Sequence, residues 1–265
     1  MATRLADMVM PTIDETTRLL VHARRTRQPA VATGAQPPDA ASAYAVQDAV
    51  ARTFGWFAER PARHWKSGGP SRDAVLTHAR LPPEGVWDSP ADARAWPLHL
   101  RGIEAEVALR LARDVEPAMA KTFATTLDPI HADTLVDAMC VSIEIVDSRW
   151  VEGLDAPAMA KLADLQSHGA LVLGPWVRYL PRDWSAQVCR VQVGTQAPLK
   201  RRGSHALSDP LFVLPAWLRH ATRDGHSVAA GTVVTTGTWV GILHAAAGDL
   251  VTAEFAGIGH ASVQL

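Results

Sequence analysis

The chain predicts an α+β fold, with N-terminal helices followed by a curled mixed, mostly antiparallel β core. Three observations predict it. Apolar residues recur at helical spacing in Thr12–Arg27 and Ala41–Phe57. They alternate with period two in Leu98–Ala112 and Val141–Arg149. The tail, Ser227–Leu265, strings short alternating runs between glycine turns. At 265 residues the chain can bury a substantial core. The expected organisation is a single domain over 1–265, with a helical region at 1–60 and a β-rich core at 61–265.

In the first helix Leu19, Leu20 and Ala23 share a face, Thr12 or Asp14 is the expected cap, and arginines gather at the end, where they complement the helix dipole. Gln28–Ala40 reads as a loop. In the second helix Tyr44, Val46, Val50 and Phe54 recur, with Gly55 near the end. Ala62–Arg94 holds Lys66-Ser67-Gly68-Gly69-Pro70-Ser71 and Leu81-Pro82-Pro83-Glu84-Gly85 and fits neither a helix nor a long strand; such a stretch in a folded protein is more often functional than idle. Ala132–Met139 and Ala156–Leu165 read as short helices, and Leu171–Gly174 and Gln187–Val193 as strands. Asp209–Arg219 reads as a helix capped by Asp209, with Pro210 in its first turn.

Composition removes several function classes. A net charge of −1 creates no field favouring nucleic acid or an anionic membrane. No stretch approaches the ~20 apolar residues that span a bilayer, and Met1–Met10, with Arg4 and Asp7, does not read as a secretory signal. The two cysteines, Cys140 and Cys189, have no metal or redox spacing and read as buried thiols of a soluble protein in a reducing, cytoplasmic compartment. The chain lacks nucleotide-binding glycine motifs and a Gly-x-Ser-x-Gly elbow. Its histidines, His64, His78 and His99 included, do not cluster at metal-ligand spacing, and the tryptophans read as core or interface.

The informative segments are Glu104-Ala105-Glu106 and Val141–Arg149. On a strand, Glu104 and Glu106 project side by side; on a helix they would splay by roughly 200°. Glu144 lies between Ile143 and Ile145 on the polar side of its own alternating run. Adjacent carboxylates repel unless a cation sits among them, and three of them form an oxygen-only set suited to Mg2+ or Mn2+. Asp147 and Arg149 read as a structural ion pair.

Taken in order, these residues resemble the 2-keto-4-pentenoate hydratase and 4-oxalocrotonate decarboxylase group of the fumarylacetoacetate hydrolase superfamily. Lys66-Ser67-Gly68 with Ser71 is similar to the family's Lys-x-Gly-x-x-Ser loop, Glu104-Ala105-Glu106 to its Glu-x-Glu motif, and Glu144–Arg149 to the hydratase branch's third-ligand segment. Asp164-Leu165-Gln166-Ser167 resembles an Asp-Asn-x-Ser segment, with Leu165 where Asn is usual. Pro210 with Trp217-Leu218, then Thr236-Gly237-Thr238, Gly248-Asp249 and Phe255–Gly259, resemble the later helix and strands. Where the family often has Pro-Asp-Phe-Gly, this chain reads Pro82-Pro83-Glu84-Gly85, so Glu84 stands near the place of an active-site Asp.

The resemblance implies a core of the fumarylacetoacetate hydrolase C-terminal-domain type and a homo-oligomer. It implies Glu104, Glu106 and Glu144 as metal ligands, Lys66 and Glu84 as catalytic groups, and Ser71, Asp164, Ser167 and Thr238 as substrate contacts. A desolvated Lys66 near a metal is expected to have a lowered pKa. The implied activity is a lyase on a short 2-oxo acid or its enol, foremost hydration of 2-hydroxypenta-2,4-dienoate to 4-hydroxy-2-oxopentanoate in aromatic-compound catabolism. The alternatives are 4-oxalocrotonate-type decarboxylation, acylpyruvate-type C–C hydrolysis, which Glu144 in place of Asp argues against, and a non-catalytic metal-binding partner subunit.

Overall fold

The computed structural model describes residues 12–123, 132 and 134–265; the segment Met1–Met10 lies outside them. The chain divides into two units, one formed by Met1–Ala58 with Ser148–Ser167, the other by Glu59–Asp147 with His168–Leu265. Ser148–Ser167 thus joins the N-terminal helices instead of the β-rich core in which its position in the chain had placed it.

In the first unit, α1 (Ile13–Thr26) starts where the Thr12 hydroxyl accepts the Glu15 amide at 3.2 Å, with acids in its first turn and Arg24 and Arg25 in its last. α2 (Ala40–Phe54) is capped by Asp39, and Gly55, with φ of 69°, ends it three residues earlier than the periodicity alone suggests. Leu20, Val21, Val46 and Val50 form a core with Trp150, Ala160 and Leu162, the last two on α3 (Ala158–Ala163). The Trp150 indole donates to the Ala160 carbonyl at 2.9 Å, and the Gln47 amide to Leu162 at 2.7 Å.

The second unit is α+β, built on two sheets. The larger has the path β2 (Thr77–Arg80), β1 (His64–Gly68), β11 (Val233–Thr235), β5 (Gly102–Leu111), β6 (Val136–Val146), β7 (His168–Leu173), β3 (Val86–Asp88). It is mixed: β1 runs parallel to β11 and β3 to β7, and the other pairs along this path are antiparallel. The smaller has the order β10 (Leu199–Arg202), β9 (Val188–Val193), β13 (Leu250–Phe255), β14 (Gly259–Gln264), β4 (Ala91–Asp92). Val191, Val251, Phe255 and Val263 of the smaller sheet join Ile103, Val107, Ile143 and Ile145 of the larger in one core.

Ala62–Arg94, as expected, holds no long strand; it contains β1 to β4, each too short to show a period. Two expectations change. Helix does not extend to Met139, because Val136–Met139 already belongs to β6, which is buried on both faces and so lacks clean alternation. Before α4 (Leu214–Ala221) the chain winds as a 3-10 turn, Pro210–Val213. Pro215 has no N–H to give the Leu211 carbonyl, so α-helical bonding cannot begin earlier there. Asp209 still caps the turn, accepting the Leu211 amide at 2.8 Å. Among the described residues no helix is long and apolar enough to cross a membrane.

Candidate metal centre

β5 and β6 are antiparallel, with Glu104 directly opposite Glu144 and Glu106 opposite Ser142. Alternation sends Ile103, Ala105, Val107, Ile143 and Ile145 into the core and the three glutamates to the other face. There, one carboxylate oxygen from each of Glu104, Glu106 and Glu144 lies within 4.8 Å of the other two. Glu106 and Glu144 are buried and Glu104 is half-buried. Beside them Ala108, Cys140, Leu171, Leu173 and Val233 form a small apolar cluster that bounds the polar face.

Each buried carboxylate is held by donors on neighbouring strands. Lys66 of β1 donates from Nζ to Glu144 Oε1 at 2.5 Å, and His168 Nδ1 meets the same oxygen at 3.0 Å. Glu106 Oε2 accepts from the Thr235 hydroxyl of β11 and, at 3.0 Å, from the Gly237 amide. The proton of Thr235 is committed to Glu106, so Ser142, 2.9 Å away, supplies the hydrogen bond between the two hydroxyls. Gly237 sits at φ of 106°, which a side chain rarely tolerates, and this turn aims its N–H at the carboxylate.

The electrostatics follow from that crowding. Desolvation, with Glu106 and Glu144 nearby, pushes Glu104 up to about 8, against the pull of Lys66. Desolvation and Glu144 push Glu106 up to about 7, against the Thr235 hydrogen bond. Burial also opposes the charge on Glu144, but Lys66 and His168 outweigh it and hold this carboxyl below the usual range. For Lys66 burial favours the neutral amine, yet Glu144, Glu104 and Glu106 overcome it and raise its pKa. Three carboxylates facing Lys66 thus hold its proton against burial; the lowered value expected beside a metal belongs to a site in which a cation shares those carboxylates.

The set fits a divalent cation. All three donors are hard oxygens, and Glu144 Oε2 is buried with no hydrogen-bond partner among the described residues. A buried acceptor left unsatisfied costs about 1–3 kcal/mol, a cost an ion removes.

The other expected residues fall elsewhere. Glu84 is exposed in the 3-10 turn Pro83–Gly85 and is not part of the carboxylate cluster. Ser71 lies half-buried in the loop between β1 and β2. The Thr238 hydroxyl closes a local turn, donating to the Gly241 carbonyl at 2.9 Å and accepting the Val240 amide. Asp164 belongs to the helical unit, where Oδ1 accepts from Arg149 at 2.6 Å and Arg24 at 3.1 Å and Oδ2 from the Arg149 amide. Ser167 is also there, buried in a run of left-handed residues, Leu165 to Ser167, and its hydroxyl has no hydrogen-bond partner among the described residues. Asp147 accepts the His99 and Leu100 amides, each at 2.8 Å. His78, buried, meets the Ser67 hydroxyl at 2.9 Å. His64 lies on β1 opposite Val233.

Ser142, Thr235 and His168 were not singled out by the sequence. Ser142 had a signal, since it stands two residues before Glu144 and shares its face. Thr235 had none, because the register of β11 on β5 is not written locally.

Residues 78–265 match the fumarylacetoacetate (FAA) hydrolase C-terminal family. Two curated relatives from Dechloromonas aromatica (strain RCB), 2-keto-4-pentenoate hydratase 1 and 2-keto-4-pentenoate hydratase 2, are 32% identical over 162 residues, 60% of this chain; the match spans 58% of their own length. Among solved structures, 4-oxalocrotonate decarboxylase from Pseudomonas putida G7, complexed with magnesium and adipate, superposes with a TM-score of 0.75 at 17% identity, covering 95% of this chain and 97% of that one. The 2-hydroxyhepta-2,4-diene-1,7-dioate isomerase from Mycobacterium marinum superposes with a TM-score of 0.55 at 15% identity, covering 77% and 73%. Glutamates on facing strands, a two-sheet core and a match over residues 78–265 lead to one conclusion: the chain belongs to the fumarylacetoacetate (FAA) hydrolase C-terminal family.

Proposed function

We propose that the protein is a divalent-metal-dependent lyase acting on a short 2-oxo acid or its enol, and that its reaction is hydration of 2-hydroxypenta-2,4-dienoate to 4-hydroxy-2-oxopentanoate. The observation that carries this reading is the convergence of Glu104, Glu106 and Glu144, with Lys66 2.5 Å from Glu144. The hydratase names of the curated relatives support it.

Glu104, Glu106 and Glu144 would hold Mg2+ or Mn2+. When bound, the ion supplies Lewis-acid stabilisation of negative charge on the substrate's 2-oxygen. Lys66 is the cation aimed at this cluster, and its flexible stem lets the ammonium move between Glu144 and a substrate carbon. Lys66, protonated beside Glu144, is the group placed to exchange a proton with the substrate. It delivers one to C5 of the dienol and takes up the proton that the 2-hydroxyl gives up, giving the α,β-unsaturated ketone. Water then adds at C4 and a proton at C3. Thr235 and the Gly237 amide fix Glu106 throughout. Asp164, committed to two arginines, is assigned to structure and not to substrate, and Glu84, exposed, is not assigned a step. On this reading the substrate is a small molecule and the protein a cytoplasmic homo-oligomer.

The test is an ultraviolet assay of purified, chelator-treated protein with the dienol, with and without Mg2+ or Mn2+. Metal-dependent loss of the dienol absorbance with 4-hydroxy-2-oxopentanoate as product is expected. An untouched dienol with CO2 released from 4-oxalocrotonate assigns the same residues to decarboxylation instead. No reaction with either substrate while metal binds rejects the lyase reading.

A further inference from the structure

β7 enters the sheet through a bulge. Ala170 lies opposite Ile145 and His168 opposite Val146, leaving Gly169 without a partner position. Leu171 lies opposite Glu144 and faces its side. Strict alternation from Leu171 would turn His168 toward the apolar side; the extra residue reverses the parity and turns it to Glu144. Glycine is required at the bulge, because a Cβ on residue 169 would lie 2.7 Å from the Ile145 carbonyl oxygen and 2.8 Å from Asp147 Cβ. The result is the 3.0 Å contact between His168 Nδ1 and Glu144 Oε1, with both side chains buried. Lys66 holds the same oxygen at 2.5 Å, and Oε2 has no hydrogen-bond partner among the described residues.

From this we infer that His168 is a positioning residue for Glu144. Together with Lys66 it engages Oε1 and so presents Oε2 to the divalent cation, and it keeps that orientation when Lys66 turns to the substrate. The inference rests on the metal reading of the three glutamates. Residues that orient a ligating group typically change metal affinity by about 10–100-fold when removed.

The experiment is calorimetric titration of the chelated full-length protein with Mn2+, with the Mn2+ electron paramagnetic resonance spectrum recorded at saturation. His168→Leu is expected to weaken Mn2+ binding by about 10–100-fold and to alter the spectrum. His168→Asn, whose side-chain amide nitrogen stands close to the place of Nδ1, is expected to retain most of the affinity. A folded His168→Leu protein that binds Mn2+ like the wild type, with the same spectrum, overturns the inference. If His168→Leu does not fold, His168→Gln, which displaces the donor by one methylene, replaces it, and unchanged affinity again overturns the inference. Glu144→Gln separates the two levels. If it abolishes Mn2+ binding while His168→Leu retains it, the positioning role alone fails. If the wild type binds no Mn2+, the metal reading fails and this inference with it.

Discussion

On one face of β5 and β6, Ile103, Ala105, Val107, Ile143 and Ile145 are buried against the smaller sheet; on the other, one residue along the same backbone, Glu104, Glu106 and Glu144 crowd within reach of a single ion. Fully burying an aliphatic side chain contributes about 1.5–3 kcal/mol, whereas carboxylates opposed across a strand pair destabilise it. The two strands therefore carry both the centre of the core and its least comfortable charges. The apolar face offsets what the acidic face costs, and the cost is what an ion can recover.

The comparison is broken most severely on the acidic face. Glu144→Gln should abolish tight Mg2+ or Mn2+ binding and lower activity on the dienol by about 10²–10³-fold or more, measured by calorimetry and the ultraviolet assay. Lys66→Met should lower activity by about 10²–10⁴-fold while metal binding remains. Losing both metal and activity would assign Lys66 to site assembly alone.

Opposite signs are expected from substitutions on opposite faces. Ile143→Ala should destabilise by about 2–5 kcal/mol through the cavity it leaves, with metal stoichiometry unchanged. Glu104→Gln should weaken metal binding yet raise the melting temperature of the metal-free protein at pH 8, because it removes a carboxylate held near 8 by desolvation and by its neighbours. A lower melting temperature would show that Glu104 is not strained in the metal-free state.

The pH dependence sharpens the same contrast. Glu104 and Glu106 hold protons more tightly folded, with values about 8 and about 7, than unfolded, near 4.5. Their contribution is fully present below the unfolded value and is lost as pH rises through the folded values. The metal-free protein should thus lose stability from about pH 4.5 to about pH 8, and metal binding should release protons across that window. Denaturant titrations at several pH values, and calorimetry in buffers of different ionisation enthalpy, measure the two. The smallest effect is expected from Thr235→Val, which removes one hydroxyl from Glu106 and should weaken metal binding by about tenfold.

Much of this was legible in the sequence, and the reasons differ by element. Period-two alternation revealed Glu104, Glu106 and Glu144 because their strand pair is long and has one polar stripe. Helical periodicity revealed α1 and α2, and Thr12 marked the start of α1 because capping is local chemistry. The strands inside Ala62–Arg94 were hidden by brevity, and His168 by the bulge, since the alternation that exposes the glutamates points His168 the wrong way. Lys66 was found through its glycine-rich neighbours and the resemblance, but the three carboxylates that raise its pKa lie on two other strands and leave no local signal.

The helical unit is discontinuous in the chain, and that shapes its birth on the ribosome. Leu20, Val21, Val46 and Val50 find Trp150, Ala160 and Leu162 only after the intervening segment has been made. At about 5–20 residues per second that takes on the order of 5–20 s. During this interval the apolar stripe of α1 and α2 lacks the segment that completes its core.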